Sequence, residues 1–273
     1  QHCHPMNNFI RKITFDRAAL GLITITAASV LGEAATRTSL SDAQSAKECR
    51  YPPLSSIVTE DHVRELEEKS VVVINNVLSS SDLRFARENV EALSINMDMS
   101  LNDSDVRQDK ILSIKENDEH DHGDALIHCM KLLRGVPFLL RNFDYATSNS
   151  HVVPRQCQLA RYKPDGSVYV RHLDRCNMSI NEMGVVGWLR ASDYRYRCVT
   201  AILYLNAPDW DGGGELRLFD ADDNDKQSDI VPSGGKLILF DSSKVEHQVL
   251  ASYHEDRYAL TCWFNGDLAE ENK

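Results

Sequence analysis

From residue 154 onward the sequence consists of short strand-like runs separated by turn signals, and this alternation restricts the fold more than any other feature. The runs are Cys157 to Tyr162, Tyr169 to Leu173, Cys198 to Leu205, Glu215 to Phe219, Lys236 to Phe240 and Tyr258 to Phe264. The turns contain Pro164-Asp165-Gly166, Asp211 to Gly214, Ser233 to Gly235 and Asn265-Gly266. Short β-branched or aromatic strands joined by Gly-rich turns are typical of a sandwich or jelly roll. The sequence therefore predicts a mainly β domain with helices packed on its outside.

The region before this domain is predicted to be a helical support. A helix is predicted to begin at Thr59, followed by a short strand at Val71 to Ile74. Ser81-Asp82 is predicted to cap a second helix, and helical spacing predicts a third from about Ala125 to Leu133. Between these two helices the polar, acidic stretch from Asp98 to Asp124 is predicted to be a long loop.

The N-terminal region differs in charge from the remainder. In residues 1–40, Arg11, Lys12, Arg17 and Arg37 outnumber Asp16 and Glu33, a balance typical of a targeting segment. Its uncharged run, Ala18 to Gly32, is shorter than the roughly 18 residues needed to span a bilayer. We expect a signal or transit peptide within residues 6–40, with a weak membrane anchor, a disordered tail or an amphipathic helix as alternatives. The expected division is 1–53 targeting segment or tail and linker, 54–153 helical support and 154–268 jelly roll.

Charge and cysteine content limit the partners and the compartment. The net charge of −11 disfavours binding to nucleic acid or to an anionic membrane surface. The seven cysteines are scattered and contain no CxxC pair, so neither a disulfide framework nor a zinc ribbon is indicated. A reducing compartment is favoured, and the compartment stays open between the cytoplasm and an organelle.

One triplet in the predicted jelly roll has the spacing of metal ligands. Residues i and i+2 of a strand point to the same side, so His172-Leu173-Asp174 directs an imidazole and a carboxylate inward. His247, between the last two strand-like runs, is the expected third ligand. Two histidines and one carboxylate form the facial triad of non-haem iron(II) oxygenases. The triplet His122-Gly123-Asp124 has the same spacing, but it precedes a helix, where Asp124 is expected to be an N-cap.

The last strand carries an arginine on its interior face. Arg257, Thr261 and Trp263 share parity, so all three are expected to face the inside of the roll. A buried arginine requires an anionic partner, because an unpaired buried charge is strongly destabilising. The distal carboxylate of 2-oxoglutarate is one such partner, and a protein carboxylate is the alternative.

Six ordered segments resemble the prolyl hydroxylase branch of the 2-oxoglutarate oxygenases, especially the animal oxygen-sensing prolyl hydroxylases and their protist and bacterial relatives. The resemblance runs from Gln156 to Phe264. Its segments are Arg161-Tyr162-Lys163-Pro164, Tyr169-Val170-Arg171-His172-Leu173-Asp174, Arg197-Cys198-Val199-Thr200, Tyr204-Leu205-Asn206, Gly213-Gly214-Glu215-Leu216-Arg217, and His247 with Arg257-Tyr258-Ala259.

This resemblance implies a double-stranded β-helix that hydroxylates a prolyl residue of a protein or peptide, at C4, with release of succinate and CO2. The implied requirements are Fe(II), 2-oxoglutarate and O2, with L-ascorbate as reductant. Tyr162, Tyr204 and Thr261 are implied to line the 2-oxoglutarate pocket beside Arg257. Tyr169, Arg197 and Trp263 are implied to contact the prolyl peptide. No catalytic side chain beyond the metal ligands is implied.

Some features depart from that family. Between Asp174 and Arg197 lie 22 residues, where the oxygen-sensing relatives have a much shorter loop, so the substrate is in doubt. The spacing from His247 to Arg257 is one residue longer than in those relatives. A hydroxylase of a free amino acid or other small molecule is therefore an alternative, as is a non-catalytic metal-binding jelly roll. Zinc hydrolysis is a further rival, but it does not explain Arg257.

Overall fold

The computed structural model describes residues 56–96, 99–101, 105–115, 122–145, 153–154, 156–176, 181, 184, 194, 196–220 and 226–266. Within them the helices are α1 (Glu60–Lys69), α2 (Ser80–Asn96) and α3 (Asp124–Asn142). The strands are β1 (Val71–Ile74), β2 (Ser100–Leu101), β3 (Lys110–Lys115), β4 (Gln156–Tyr162), β5 (Tyr169–His172), β6 (Arg197–Tyr204), β7 (Leu216–Phe219), β8 (Gln227–Ile230), β9 (Leu237–Asp241), β10 (His247–Val249) and β11 (Arg257–Asn265). The expected targeting segment, residues 6–40, lies outside this range.

The described strands form two antiparallel sheets. The larger sheet has the order β1-β9-β6-β11-β4-β3-β2, and the smaller has the order β5-β10-β7-β8. Strands distant in sequence are therefore neighbours: β11 lies between β4 and β6, and β10 lies between β5 and β7. The prediction of a mainly β fold with flanking helices is confirmed.

The centre of the larger sheet is buried on both faces. On β6, Val199, Ala201 and Leu203 belong to a core shared with the helices, because strand side chains alternate between faces. Ile202 and Tyr204 belong instead to a second cluster that includes side chains of the smaller sheet. The helices thus support the outer face of the sheet and leave its inner face for the space between the sheets.

The helix termini differ in part from the sequence prediction. Thr59 is the N-cap of α1, and its side chain accepts a hydrogen bond from the backbone N–H of His62, as a capping box requires. The α2 helix is capped by Ser79 instead of Ser81: the Ser79 hydroxyl accepts from the Asp82 N–H at 3.1 Å and donates to the Asp82 carboxylate at 2.6 Å. Asp124 is the first residue of α3, and Gly123, with φ of 75°, occupies the N-cap position.

The prediction of a long loop from Asp98 to Asp124 is wrong for part of that stretch. It contains β2 and β3, and β3 pairs with β4 over six residues from Lys110 to Lys115. The apolar residues of β3, Ile111, Leu112 and Ile114, do not alternate regularly with polar ones, so the strand lacks the pattern that marks a half-buried strand locally, and only Ile114 is buried. Its pairing with a distant strand determines its structure.

The α3 helix also extends nine residues beyond the predicted Leu133, to Asn142, because burial of Val136, Leu139 and Leu140 outweighs the helix-weakening Pro137.

No helix in the described part of the chain is both long and apolar enough to cross a bilayer.

Candidate active site

Three side chains that could bind a metal meet between the two sheets. Strand β5 ends at His172, β10 begins at His247, and these two residues are cross-strand partners. Asp174 follows β5 after one residue. The Nε2 atoms of His172 and His247 lie 3.8 Å from Oδ1 and Oδ2 of Asp174, respectively. The potential ligand atoms of all three residues lie within 4.8 Å of one another. The sheet thus brings Asp174 and His247 together, although they are 73 residues apart in the sequence.

Backbone carbonyl groups fix the orientation of both imidazoles. Nδ1 of His172 lies 2.8 Å from the carbonyl oxygen of Val170, and Nδ1 of His247 lies 3.1 Å from that of Val245. A carbonyl oxygen only accepts hydrogen bonds, so each ring carries its proton on Nδ1. Each Nε2 then presents a lone pair to the centre of the cluster. This is the tautomer that metal-binding histidines adopt when their other nitrogen is held by a second group.

The carboxylate of Asp174 is held in its ionised form. The Thr200 hydroxyl donates to Asp174 Oδ2 at 2.7 Å, and Ser242 Oγ lies 2.8 Å from Thr200 Oγ1. Burial alone would raise the pKa of Asp174, but His247, His172, Arg197 and the Thr200 hydroxyl outweigh it and lower that pKa to about 2. Burial, followed by His247, lowers the pKa of His172. A carboxylate and a neutral imidazole are the protonation states that bind a metal.

This donor set fits iron(II). Two neutral imidazoles and one carboxylate are the ligands of the non-haem iron facial triad, which leaves further coordination positions for a co-substrate. Among the described residues, no other set of three histidine, cysteine or acidic side chains is close enough to share a metal ion. His122, in the triplet of the same spacing, is buried outside this cluster.

Arg257 lies in the same cavity and is almost completely buried, with 2% of its surface exposed. Its Nε donates to the carbonyl oxygen of Gly214 at 2.7 Å, and its Nη2 lies 3.3 Å from the hydroxyl of Tyr204. Within the described residues, no carboxylate lies within 4.0 Å of its guanidinium nitrogens. A cation this deeply buried requires an anion, and the described protein does not supply one.

The surroundings of Arg257 form a polar and aromatic cradle. Its guanidinium carbon lies 4.9 Å from the ring centroid of Tyr162 and 5.0 Å from that of Tyr204. Burial raises the pKa of both phenols, so each hydroxyl remains a hydrogen-bond donor at neutral pH. Gly214 has φ of 68°, and a Cβ there would lie 2.6 Å from Cδ of Arg257. Only glycine therefore allows the arginine to pack this closely against the turn.

The face of β11 that carries Arg257 lines one cavity of about 80 Å³ between the sheets. The structure brings Arg257, Thr261 and Trp263 together on this face, as their parity in the sequence predicted. Tyr258, Leu260 and Cys262 belong to the core on the opposite face. The cavity is lined by every residue predicted for the metal and peptide sites. It is also lined by all residues predicted for the 2-oxoglutarate pocket except Tyr204, whose hydroxyl contacts Arg257.

At the mouth of the cavity, aromatic rings cover the metal ligands. The ring of Tyr169 stacks on that of His172 with centroids 3.8 Å apart and planes at 21°. The guanidinium carbon of Arg197 lies 4.0 Å from the ring centroid of Trp263. Nη1 of Arg197 also lies 3.8 Å from Oδ1 of Asp174. The three residues predicted to contact the peptide thus surround the candidate metal centre.

Sequence reasoning missed two charged residues in this site, Arg107 and Asp109. Arg107 bridges to Tyr169 on β5, and its guanidinium carbon lies 4.7 Å from that ring's centroid. Nε and Nη2 of Arg107 donate to the two oxygens of Asp109 at 2.5 and 2.7 Å, and Asp109 is 0% exposed. The Arg-x-Asp spacing just before β3 was the available signal, but it lay in a segment predicted to be a loop.

Removing one partner of this ion pair is expected to destabilise the protein. Asp109→Ala leaves the Arg107 guanidinium without its bidentate partner, which should lower the free energy of unfolding by about 3 kcal/mol. The double variant Arg107→Met with Asp109→Ala should recover most of that loss, because no uncompensated charge remains. Urea denaturation of the two variants measures both effects. Equal stabilities for the single and double variants would contradict the assignment.

The two antiparallel sheets hold a centre of two histidines and one carboxylate between them. Residues 157–265 match the family described as the 2OG-Fe(II) oxygenase superfamily. This part of the chain is therefore similar to a 2OG-Fe(II) oxygenase domain. It is 31% identical over 165 residues to Egl nine homolog 1 of Rattus norvegicus, covering 59% of this chain and 42% of that protein. A hypoxia-inducible factor prolyl hydroxylase of Caenorhabditis elegans is 25% identical over 232 residues, covering 79% of this chain and 29% of the relative. The chain spans less than half the length of these relatives.

Solved structures show the same fold. One is a prolyl hydroxylase from Trichoplax adhaerens in complex with a hypoxia-inducible factor oxygen degradation domain peptide fragment. It is 25% identical with a TM-score of 0.60, and the alignment covers 84% of this chain and 94% of that one. A prolyl-4-hydroxylase from Pseudomonas putida aligns with a TM-score of 0.60 at 24% identity, covering 76% and 98% of the two chains. The prediction of a jelly roll resembling the prolyl hydroxylases is confirmed.

Proposed function

We propose that this protein is an Fe(II)- and 2-oxoglutarate-dependent dioxygenase that hydroxylates a prolyl residue, at C4, in a protein or peptide. One observation carries the proposal: Arg257, buried without a carboxylate partner among the described residues, shares a cavity with a His-Asp-His cluster. A metal site alone would fit several chemistries. A metal site with a buried cation beside it fits a co-substrate that has one carboxylate near the metal and another at its far end.

In this proposal His172, Asp174 and His247 hold the iron. Arg257 binds the distal carboxylate of 2-oxoglutarate through the N–H groups that the described residues leave without an acceptor, with a fork geometry suited to a carboxylate. The Tyr204 and Tyr162 hydroxyls and the Thr261 side chain add polar contacts to that pocket. Iron(II) held by these three residues would supply the oxidising chemistry, in which 2-oxoglutarate and O2 would be consumed and succinate and CO2 formed, with L-ascorbate as a reductant.

The protein contributes positioning and the exclusion of water. The carbonyl groups of Val170 and Val245 hold the two imidazoles, and Thr200 holds the carboxylate. Tyr169, Arg197 and Trp263 form the surface that receives the prolyl peptide. No further side chain is required as a general acid or base. Three of the relatives, an Egl nine homolog and two prolyl hydroxylases, favour proline as the residue modified.

For the chain as a whole, we assign residues 154–268 to the catalytic domain and residues 54–153 to a helical support that stabilises it. Residues 1–53 are assigned to a targeting segment or tail and linker, with the catalytic part acting in the cytoplasm or in an organelle reached through residues 6–40. The acidic charge of the chain opposes a role in binding nucleic acid.

Peptide-stimulated turnover tests this function. The protein is loaded with Fe(II) under anaerobic conditions, 2-oxoglutarate is added, and succinate is measured after O2 is admitted. Pooled peptides with a central proline are compared with the same pools carrying alanine in its place. We expect succinate formation to rise with the proline pools only. Stimulation by free amino acids instead would transfer the assignment to a small-molecule hydroxylase. No turnover and no 2-oxoglutarate binding would remove the oxygenase assignment.

A further inference from the structure

Tyr194 belongs to the segment between Asp174 and Arg197, which sequence reasoning left without a role. The structure places its ring in the cavity that holds the candidate metal site. Its carbonyl oxygen accepts a hydrogen bond from the Cys176 N–H at 3.2 Å, which joins the two ends of this segment beside Asp174. The residue is 38% exposed, so its ring contacts both the site and solvent.

The guanidinium of Arg197 lies over the rings of both Tyr194 and Trp263. The guanidinium carbon of Arg197 lies 4.2 Å from the ring centroid of Tyr194 and 4.0 Å from that of Trp263. Contacts of this kind over a ring face are attractive, and they gain strength as water is removed. Arg197 therefore contacts the faces of two rings, and its N–H groups, which lie in the guanidinium plane, can meet acceptors at the edge of that plane.

Among the described residues, these N–H groups of Arg197 have few hydrogen-bond acceptors. Of the five N–H groups of an arginine, the hydrogen bond that Arg197 makes with the described residues uses one, from Nη1 to the Asp174 carbonyl oxygen at 3.5 Å. The Trp263 indole N–H is buried and makes no hydrogen bond with the described residues. A buried donor without an acceptor is costly, so both groups are expected to find acceptors on a bound ligand.

A prolyl peptide matches such a site. Proline has a backbone carbonyl oxygen but no backbone N–H, so the chain around it is rich in acceptors and poor in donors. A mouth that offers unused donors close to the metal centre is therefore complementary to the carbonyl groups that flank a proline. The 2-oxoglutarate carboxylates are not needed for this role, because Arg257 and the metal site account for them.

We propose that Tyr194 is a specificity-determining residue. It holds the Arg197 guanidinium against Trp263, so that their free N–H groups bind the backbone carbonyl oxygens beside the reacting proline. This inference rests on the proposed prolyl hydroxylation and adds a role for Tyr194 in binding the prolyl peptide.

The test compares Tyr194→Ala with Tyr194→Phe, which keeps the ring. Phe85→Ala is the matched control, because Phe85 is a 46% exposed ring that stacks on Arg84 at 4.8 Å on α2, outside the cavity. A peptide is first selected by turnover with the unaltered protein. Its KM and kcat are then measured for each variant, together with 2-oxoglutarate affinity and calorimetric binding of the peptide to Zn(II)-loaded, inactive protein.

Tyr194→Ala should raise the KM and the Kd of the peptide about tenfold, as the loss of one cation–π contact in a partly desolvated site allows. The value of kcat and the affinity for 2-oxoglutarate should change less than about twofold. Tyr194→Phe and Phe85→Ala should match the unaltered protein. A thioamide in place of the carbonyl before proline, a weaker acceptor, should raise the KM of the unaltered protein more than that of Tyr194→Ala.

An unchanged peptide KM in Tyr194→Ala would overturn the inference while leaving the proposed function in place. Loss of peptide binding in Tyr194→Phe equal to that in Tyr194→Ala would overturn it as well, because the ring would not be the contributing group. If no proline peptide is turned over by the unaltered protein, the proposed function itself fails, and this result precedes any comparison of variants.

Discussion

Asp174→Ala is expected to abolish peptide-dependent succinate formation and to lower the affinity for divalent metal by at least about a hundredfold. The substitution removes the only carboxylate among the three residues that could hold a metal in the described cluster. Two neutral imidazoles remain, and they neither bind iron(II) firmly nor balance its charge. Titration with Co(II), followed by its visible absorption, measures the affinity without any need for turnover.

A graded control separates the loss of a ligand from a loss of folding. Thr200→Val removes the hydrogen bond to Asp174 Oδ2 and leaves all three ligands, so it should weaken metal binding by only about ten- to a hundredfold. Both variants should keep the far-ultraviolet circular dichroism of the unaltered protein. Retention of full metal affinity in Asp174→Ala would show that the metal site lies elsewhere.

The second large effect is expected at Arg257. Arg257→Met should raise the Kd for 2-oxoglutarate by about a hundredfold or more, because a charge-assisted, two-pronged contact with the distal carboxylate is lost. Metal affinity should be unchanged, since Arg257 forms its hydrogen bonds within the described residues to Gly214 and Tyr204, and neither is a metal ligand. Arg257→Lys should give an intermediate Kd, because lysine keeps the charge but not the fork. Calorimetric titration of the Zn(II)-loaded protein with 2-oxoglutarate measures each value.

The free energy of unfolding provides an independent test of the role of Arg257. A buried cation without an anion is unfavourable in the ligand-free protein, so Arg257→Met should raise the free energy of unfolding by about 1 kcal/mol. Arg161→Met is the matched control, because Arg161 lies on the paired strand β4 and has its own carboxylate in Asp256. That control should leave the Kd for 2-oxoglutarate unchanged. A large fall in stability for Arg257→Met would indicate that a protein group already balances this charge.

The sequence was informative where the local pattern and the tertiary role coincide. Strands β6 and β11 are buried along almost their whole length, and their mainly apolar runs identified them directly. The shared parity of Arg257, Thr261 and Trp263 is a consequence of strand geometry alone. The spacing of two between His172 and Asp174 was interpreted in the same way, although Asp174 lies just beyond the end of β5. These features could therefore be placed on the same side of the chain before any pairing was known.

Features that depend on partners distant in sequence could not be predicted. Strand β3 is polar on its exposed face, and β8 is exposed or half-buried along its length, so neither has an apolar pattern of its own. The pairing of His247 with His172 follows from the order of strands in the smaller sheet, which the sequence does not state. The ion pair of Arg107 with Asp109 was missed for the same reason, since its importance comes from the bridge to Tyr169.

The source of the oxygen atom in the product tests prolyl hydroxylation by this protein. The unaltered, iron-loaded protein is given 2-oxoglutarate, labelled ¹⁸O₂ and the best proline-containing peptide, and the products are analysed by mass spectrometry. We expect one labelled oxygen atom on the proline ring, one on succinate, and equal amounts of the two products. Neither labelled product should form with Asp174→Ala. Succinate formation without any label in the peptide, or a peptide oxygen derived from water, would contradict prolyl hydroxylation by this protein.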